Sequence, residues 1–313
     1  MSADERPSRG KSDPDPRQPD PRPPDIQKDA QKDTPKDGGP RPTSKKPKPG
    51  SAPRGDGLDP LEPPGTGEEG AEGAAASADD DPDAVLVHAD TPVPSVDELR
   101  AALQWAFEKE DIAAAVLDQF ALHAHLVLDA NRRMNLTAIV EPREVAAKHY
   151  LDSWRATRLL PLVGRSVLDL GTGAGFPGVP VALAEPQTKV VLLDSTKKRI
   201  DFVQSTLESL SLTRVKATWE RAEDHLARNR YDMVLVRAVS SVRENVRLLR
   251  KVKHSLKDFV MLKGSSWSRE VRAAEREAER LGFRLDTVWE HELPGEMGER
   301  AILVYRAPGG HGT

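Results

Sequence analysis

The sequence lacks cysteine altogether, and aromatic residues make up only 4% of its 313 positions. Without thiols the chain can form neither disulfide bonds nor a thiolate metal site. Its eight histidines show no His-Glu-x-x-His spacing, so the sequence predicts no metal centre. No apolar run approaches the length of a membrane-spanning helix, and the N-terminus has no apolar core typical of a signal peptide. We therefore expect a cytoplasmic protein that does not enter a membrane.

The few aromatic residues are also unevenly placed, since the first of them is Trp105. Residues 1–84 instead contain most of the 26 prolines, together with Asp, Lys, Gly and Ser. A segment of this composition buries too little apolar surface to offset its conformational entropy. We expect 1–84 to be a disordered low-complexity tail and 85–313 to fold as one domain.

The predicted domain begins with a helical block at 95–160, which contains helices near 95–106, 111–131 and 142–160. Ser95 and Glu98 form a capping-box pattern at its start. Strand-like apolar runs then follow at 166–170, 189–194, 214–219, 231–236, 257–262, 283–290 and 300–306. Helical segments between most of them predict an α/β, Rossmann-like core over 166–306 with a mostly parallel sheet. The last two runs have no helix between them, so we expect an antiparallel C-terminal hairpin.

A glycine-rich turn follows the first of these strands and is the most informative segment, with the sequence Asp169-Leu-Gly-Thr-Gly-Ala-Gly-Phe-Pro-Gly178. A strand, a glycine turn and a helix start are where α/β proteins hold nucleotide-like ligands. The glycines alone also fit dinucleotide-binding folds. Asp169, however, would repel a pyrophosphate and would suit the cationic end of S-adenosylmethionine. The alternative is that Asp169 only caps the turn.

A second carboxylate, Asp194, ends the next predicted strand about 20 residues after the glycine turn, where a ribose diol is usually bound. The two acidic strand ends together favour adenosine recognition. Further motifs follow the same order and spacing as one known family: Asn135-Leu-Thr137, Lys148-His-Tyr-Leu-Asp-Ser153, Leu193-Asp-Ser-Thr-Lys-Lys-Arg199, Arg221-Ala-Glu223, Arg237-Ala and Leu262-Lys-Gly264.

With these motifs and the glycine turn, residues 95–306 resemble the RsmG family, the bacterial 16S rRNA (guanine-N7)-methyltransferases also called glucose-inhibited division protein B. The resemblance implies the class I methyltransferase fold, S-adenosylmethionine as cofactor, and one guanine of 16S rRNA as substrate, in the small subunit or an assembly intermediate. The tail has no counterpart in the family. Ala130 also departs from the pattern, because family members usually carry Trp before the Asn131-Arg132 pair.

The resemblance also implies roles for individual residues. Arg237 would position the guanine or a phosphate, and no general base is expected. The cofactor would be bound by ten residues at the ends of the first four strands: Asp169, Gly171, Gly173, Phe176, Asp194, Ser195, Thr196, Ala222, Glu223 and Arg237. For Glu223, the alternative is a helix N-terminal charge that favours the helix dipole.

Clusters of basic residues lie near the same edge and are candidates for phosphate contacts. They are Arg132, Arg133, Lys148, Lys197, Lys198, Arg199, Arg243, Arg247, Arg250 and Lys263. The arginines at 243, 247 and 250 have the spacing of a helical stripe. The formal net charge of −4 includes an acidic segment at 58–83 without a single base, so the predicted domain is close to neutral. We expect the protein to act on RNA as a monomer.

The residue types disfavour two classes of methylation reaction. Cysteine-free chains lack the nucleophile that methylation of a pyrimidine C5 carbon ordinarily needs. Arg237-Ala-Val-Ser240 stands where many amino-group methyltransferases carry an Asp/Asn-Pro-Pro-aromatic motif, which disfavours an exocyclic amine. Two alternatives stay open: a methyltransferase that acts on tRNA or a small metabolite, and a nucleotide-binding protein without catalysis.

Overall fold

A computed structural model describes residues 87–308 of the chain. The predicted tail at 1–84 and its boundary with the domain lie outside the described residues. The described part opens with α1 (Val96–Ala106) and α2 (Ala114–Met134). A third helical stretch contains α3 (Pro142–Glu144), a π-helical segment (Val145–Leu151) and α4 (Asp152–Leu159).

Local sequence signals explain where the first two helices begin and end. The capping box predicted at Ser95 is present, because its hydroxyl accepts from the Glu98 amide while the Glu98 carboxylate accepts from the Ser95 amide at 2.7 Å. α2 ends at Asn135, which takes the left-handed conformation with φ 50°. The buried residues Leu117, Phe120 and Ala124 lie on the predicted apolar face of α2.

The third helix differs from the uninterrupted helix that the sequence pattern predicts. Its middle, Val145–Leu151, is π-helical and nearly all buried. An extra residue per turn rotates the side chains relative to an α-helix, and such segments are frequent at functional sites. The Lys148-His149 pair of the family motif lies in this segment.

The seven strands form one sheet in the order β3-β2-β1-β4-β5-β7-β6. They are β1 (Ser166–Leu170), β2 (Lys189–Asp194), β3 (Lys216–Trp219), β4 (Tyr231–Arg237), β5 (Leu256–Lys263), β6 (Arg284–Glu292) and β7 (Glu299–Arg306). Strands β1 to β5 pair in parallel, whereas β7 pairs antiparallel with both β5 and β6. The mostly parallel sheet and the antiparallel C-terminal hairpin are therefore confirmed.

Helices cover both faces of the sheet: α5 (Gly178–Ala184), α6 (Lys197–Ser209), α7 (Ala222–Arg228), α8 (Val242–Leu248) and α9 (Trp267–Leu281). Alternate residues of β4 enter two separate apolar clusters, with Val234 and Val236 in one and Met233 and Leu235 in the other. Burial on both faces explains why these strands read as continuous apolar runs.

The carboxyl ends of the parallel strands meet at one edge of the sheet. Leu170, Asp194, Trp219 and Arg237 are the last residues of β1, β2, β3 and β4. In open α/β sheets, ligands bind outside this edge, next to the strand where the order reverses. Here that strand is β1, between β2 and β4.

Candidate active site

The turn between β1 and α5 is held together by Asp169. Its side chain is fully buried, and Oδ2 accepts from the Gly178 amide at 2.8 Å and from the Thr172 hydroxyl at 2.6 Å. A Cβ at Gly178 would collide with Leu192 and Asp169, so the helix start must be glycine. The structural role weighed for Asp169 is therefore present.

Asp169 nevertheless retains an acceptor. Within the described part of the chain, its Oδ1 is buried and has no hydrogen-bond partner. Burial raises the pKa of this carboxyl to about 7, while the bonds from Thr172 and Gly178 and the nearby Arg237 lower it and Asp194 raises it. A cationic group brought to Oδ1 would stabilise the ionised form.

Asp194 links the end of β2 to the glycine turn. Its Oδ2 accepts from the Gly173 amide at 3.0 Å and its Oδ1 accepts from the Thr196 amide at 2.9 Å. Arg199 Nη1 lies 3.7 Å from Oδ2. Each carboxylate oxygen has two lone pairs, so these bonds leave acceptor capacity for a ligand.

The residues at this edge fit an adenosine-containing cofactor with a cationic amino-acid end. Gly173 has φ 56°, and nothing lies within 4 Å of the position that a Cβ would take. An open approach to the backbone, the acceptor on Asp169 and the carboxylate of Asp194 thus lie along one turn. This donor and acceptor set is the one predicted for S-adenosylmethionine.

The next strand end lies directly beside Asp194. The Glu220 amide donates to the Asp194 carbonyl at 3.1 Å, and the Trp219 indole N–H donates to the Ser195 carbonyl at 2.9 Å. The predicted adenine-binding residues Ala222 and Glu223 then begin α7 and are half-buried. The structure thus brings the predicted ribose and adenine residues together.

Arg237 ends β4 on the other side of β1 and is held by two consecutive residues of the π-helical segment. Nη1 donates to the Lys148 carbonyl at 2.7 Å, and Nη2 donates to His149 Nδ1 at 2.6 Å. The guanidinium also lies 5.3 Å from the centre of the Phe176 ring.

Phe176 lies beneath this group and is only 6% exposed. His149 stacks on its ring with centroids 4.7 Å apart, and Tyr150 meets it edge-on at 5.2 Å. The Phe176 side chain thus packs under Arg237 and His149 and supports both of them. Its contact with the cofactor stays a prediction.

Two buried histidines complete the cluster, and sequence reasoning missed both. His123 Nε2 donates to the Ala174 carbonyl at 3.1 Å, so its Nδ1 accepts from the Tyr150 hydroxyl at 2.9 Å. Burial lowers the pKa of His123 to about 4. A signal was available, because His123 falls at helical spacing among Phe120 and Ala124 on the apolar face of α2.

The loop after Arg237 is braced from β5 and α9. Ala238 takes the left-handed conformation with φ 53°. The Ser240 carbonyl accepts from Lys263 Nζ at 2.6 Å, and the same ammonium pairs with Glu270 at 2.8 Å. Lys263 thus braces this loop, and its contact with RNA stays a prediction.

The other predicted phosphate-binding residues differ in what they contact within the domain. α8 ends at Leu248 and Arg250 lies in the 3₁₀ turn Leu249–Lys251, so the three-residue helical stripe is wrong: only Arg243 and Arg247 share that helix. Arg199 turns inward to Asp194. Several others form ion pairs or hydrogen bonds: Lys148 with Glu144, Arg133 with Asp129, Lys197 with Asp201, Arg247 with Glu277, and Arg132 with the Ala89 carbonyl.

Comparison with known proteins agrees with this geometry. The family model described as rRNA small subunit methyltransferase G matches residues 116–295, which is more than half of the chain. The chain belongs to this family. Membership confirms that the chain is an S-adenosylmethionine-dependent rRNA methyltransferase.

Individual members of the family match over most of their own length. A ribosomal RNA small subunit methyltransferase G from Carboxydothermus hydrogenoformans is 35% identical over 206 residues, covering 64% of this chain and 85% of the relative. One from Solibacter usitatus is 37% identical over 195 residues, covering 61% and 91%. Among solved structures, an O-methyltransferase from Bacillus cereus in complex with SAH covers 68% of this chain and all of its own, at 14% identity and a TM-score of 0.47.

Two further observations apply to residues 87–308 only. No helix there is both long and apolar enough to cross a membrane. The same residues contain no group of three or more histidine, aspartate or glutamate side chains placed to hold a metal ion.

Proposed function

We propose that the chain methylates N7 of one guanine in small-subunit rRNA and does so as a cytoplasmic monomer without a metal. The observation that carries this proposal is the placement of Arg237. It stands at the end of β4, on the opposite side of β1 from Asp194, and is fixed against Lys148, His149 and Phe176. The relatives' names supply the rRNA of the small subunit as the substrate class.

Methylation of guanine N7 requires no proton transfer by the protein. Bound S-adenosylmethionine would supply an electrophilic methyl group. Guanine N7 carries a free lone pair, so the enzyme needs no general base. The nearby histidines fit a reaction without one, since His123 Nδ1 accepts from Tyr150 and His149 Nδ1 accepts from Arg237. Catalysis then depends on positioning and on the exclusion of water.

Arg237 is the group that we assign to positioning the base. Guanine presents O6 and N7 as neighbouring acceptors on one edge. A guanidinium that binds O6 or the adjoining phosphate would orient that edge and leave N7 open to the methyl group. Because Arg237 is fixed before substrate arrives, little ordering would remain to be done in the transition state.

The cofactor residues are assigned by what each offers at the edge. Asp194 would accept the ribose hydroxyls, next to Ser195 and Thr196. Asp169 Oδ1 would face the amino-acid end, while Gly171 and Gly173 keep the backbone accessible. Ala222 would read adenine through its amide and Glu223 through its carboxylate, as both begin α7 beside the Asp194 strand end.

Contacts to phosphates would come from the basic residues that reach the surface. Arg243, Arg250 and Lys198 are exposed, and the exposed ion pairs of Lys197 and Arg133 could exchange their carboxylates for phosphates. Exposed pairs of this kind contribute little to stability. We expect RNA affinity to fall with salt, with a slope that reports the number of phosphates contacted.

A methyl-transfer assay tests the proposal. Purified protein and radiolabelled S-adenosylmethionine are incubated with small ribosomal subunits that lack the native methylation, and the rRNA nucleosides are analysed. Fully methylated subunits serve as the matched control substrate. Label in 7-methylguanosine at one site is the expected result. Label in a different nucleoside overturns the N7 assignment, and cofactor binding without label in rRNA overturns the substrate in favour of tRNA or a metabolite.

A further inference from the structure

His149 joins Arg237 to the helical block. We infer that His149 is a positioning residue that fixes the guanidinium of Arg237 through its unprotonated Nδ1. This inference rests on the proposed function for its catalytic meaning. Its structural content is independent of the substrate, because it concerns only which atom of His149 meets Arg237.

The hydrogen bonds of His149 leave one possible tautomer. A guanidinium can only donate, so Nδ1, at 2.6 Å from Arg237 Nη2, must be the acceptor. Nε2 then carries the proton and donates to the Thr137 hydroxyl oxygen at 2.9 Å. The same oxygen accepts from the Ile139 amide at 3.0 Å, which holds it in place.

A second contact fixes Thr137 in turn. The Asn131 side chain donates to the Thr137 carbonyl at 2.9 Å and accepts from the Thr137 amide at 2.8 Å. Asn131 is 1% exposed and His149 is 5% exposed. A series of hydrogen bonds therefore runs from α2 through Thr137 and His149 to Arg237, with Asn131 and His149 buried and Thr137 half-buried.

The electrostatic surroundings keep His149 neutral. Burial is the main cause that holds its pKa well below the ordinary 6.5, and the ionisable groups that face it all act in the same direction. They are Arg237 from β4, Lys148 from its own helix, His123 from α2 and Arg300 from β7. A proton on Nδ1 would remove the acceptor and place two positive charges in contact, so protonation would release Arg237.

Stacking adds a geometric constraint. The imidazole of His149 lies at 26° to the Phe176 ring, and the guanidinium of Arg237 lies over the same ring. His149 thus fixes the plane in which Arg237 can donate. Removing its acceptor while keeping an apolar side chain should leave the fold but allow the guanidinium to rotate.

Four variants of the full chain test this inference in the methyl-transfer assay. His149→Leu removes the acceptor, and we expect transfer to fall about tenfold or more, the cost of a hydrogen bond to a charged group. His149→Asn places an amide oxygen near the position of Nδ1, so we expect most of the activity to return. His125→Asn is the matched control, since His125 also lies in the helical block and its Nδ1 donates to the Pro94 carbonyl at 2.9 Å. The fourth variant, Arg237→Ala with His149→Leu, should be no more than about twofold worse than Arg237→Ala alone.

If His149→Leu lowers methyl transfer by the same factor in the native protein and in Arg237→Ala, the inference is overturned, because His149 would then act independently of Arg237. A failure of His149→Asn to recover activity while the variant stays folded would also count against it. If native protein transfers no methyl group to rRNA, the proposed function fails, and the coupling is then decided by a measurement that needs no turnover.

That measurement is nitrogen NMR of the histidine side chains in the full chain, with the His149 signals identified by their loss in His149→Asn. We expect Nε2 to be protonated and Nδ1 to stay unprotonated as the pH falls below 6.5. Arg237→Ala should raise the pKa of His149 towards its ordinary value. A proton on Nδ1 at neutral pH, or a titration that Arg237→Ala does not move, would overturn the inference.

Discussion

The glycine turn and Arg237 lie at the same edge of the sheet, but the protein holds them by different means. Asp169, Gly173 and Asp194 belong to one β-turn-α-β unit, and backbone amides make most of their bonds. Arg237 depends instead on the Lys148 carbonyl and the His149 side chain, which lie 89 and 88 positions earlier in the chain. The cofactor half is therefore local and built on backbone groups, whereas the base half depends on the helical block packing against the sheet.

This contrast predicts where single substitutions act. Changes at the turn should lower cofactor affinity, since the carboxylates there are acceptors for bound groups. Changes at Arg237, His149 or Phe176 should lower cofactor affinity less than changes at the turn do. Their main effect should be slower methyl transfer. Four experiments can break or sharpen this division.

The largest effect should come from Arg237→Ala. Loss of a preorganised donor that positions the reacting group costs about 10²-fold or more in rate. The fold should survive, because Arg237 is half-buried at a strand end. Methyl transfer on unmethylated subunits and thermal unfolding are measured side by side. Native turnover in this variant would remove Arg237 from the site, and Arg237→Lys, which cannot donate in a fixed fork, should recover little.

A smaller loss is expected for Asp194→Ala. Cofactor affinity should fall about tenfold or more, because a hydrogen bond to a charged group contributes roughly 1.5–3 kcal/mol. Calorimetry with S-adenosylmethionine measures it directly. Asp201→Ala, which removes the exposed partner of Lys197, is the matched control and should bind normally. Unchanged binding in Asp194→Ala would show that the ribose lies elsewhere.

Asp169→Asn should change how the protein responds to pH. The folded pKa of about 7 lies above the ordinary 3.8, so the folded state binds the proton more tightly than the unfolded state does. The corresponding stability is full below pH 3.8 and is lost as the pH rises through 7. Native protein should therefore lose stability relative to Asp169→Asn between about pH 4 and 7.

The cofactor response of the same variant has the opposite sign. A cationic group at Oδ1 favours the ionised carboxyl, so native affinity should increase severalfold as the pH rises through about 7. Asp169→Asn should show no such increase. Parallel pH profiles for the two proteins, in stability or in affinity, would mean that Asp169 does not titrate in this range.

The smallest effect is expected from deleting 1–84. If both halves of the site lie within 85–313, thermal stability and cofactor affinity should be nearly unchanged, because the deleted segment is rich in proline and charge and lacks aromatics. Differential scanning calorimetry of the two chains checks this. A drop of more than a few degrees would show that the segment contributes to the domain.

The same division explains what could be predicted from the sequence. β1, β2 and the turn between them were predicted closely, because apolar runs, glycines and an acidic strand end are local signals. The pairing of Asn131 with Thr137 could not be derived, since it depends on how the chain turns after α2. The contact of His149 with Arg237 could not be derived either, since it depends on how the π-helical segment orients its side chains. Arg250 was misplaced because an i, i+7 spacing does not reveal where a helix ends.

Charge patterns were the weakest guide. The clusters chosen for RNA include Lys263 and Arg199, whose side chains are largely buried in ion pairs within the domain. The sequence alone does not distinguish a basic residue that contacts phosphate from one that holds a loop. Only the neighbours brought by the fold, here Glu270 for Lys263 and Asp194 for Arg199, distinguish the two uses.

Ala238, directly after Arg237, holds a backbone conformation that disfavours any side chain, at a cost of roughly 1–2 kcal/mol. A glycine there would remove that cost, and so a screen for heat resistance would be expected to select Ala238→Gly. Such a gain would come from a freer hinge beside the residue that must stay fixed. Engineering this enzyme for heat resistance at that position is therefore expected to lower its rate of methyl transfer.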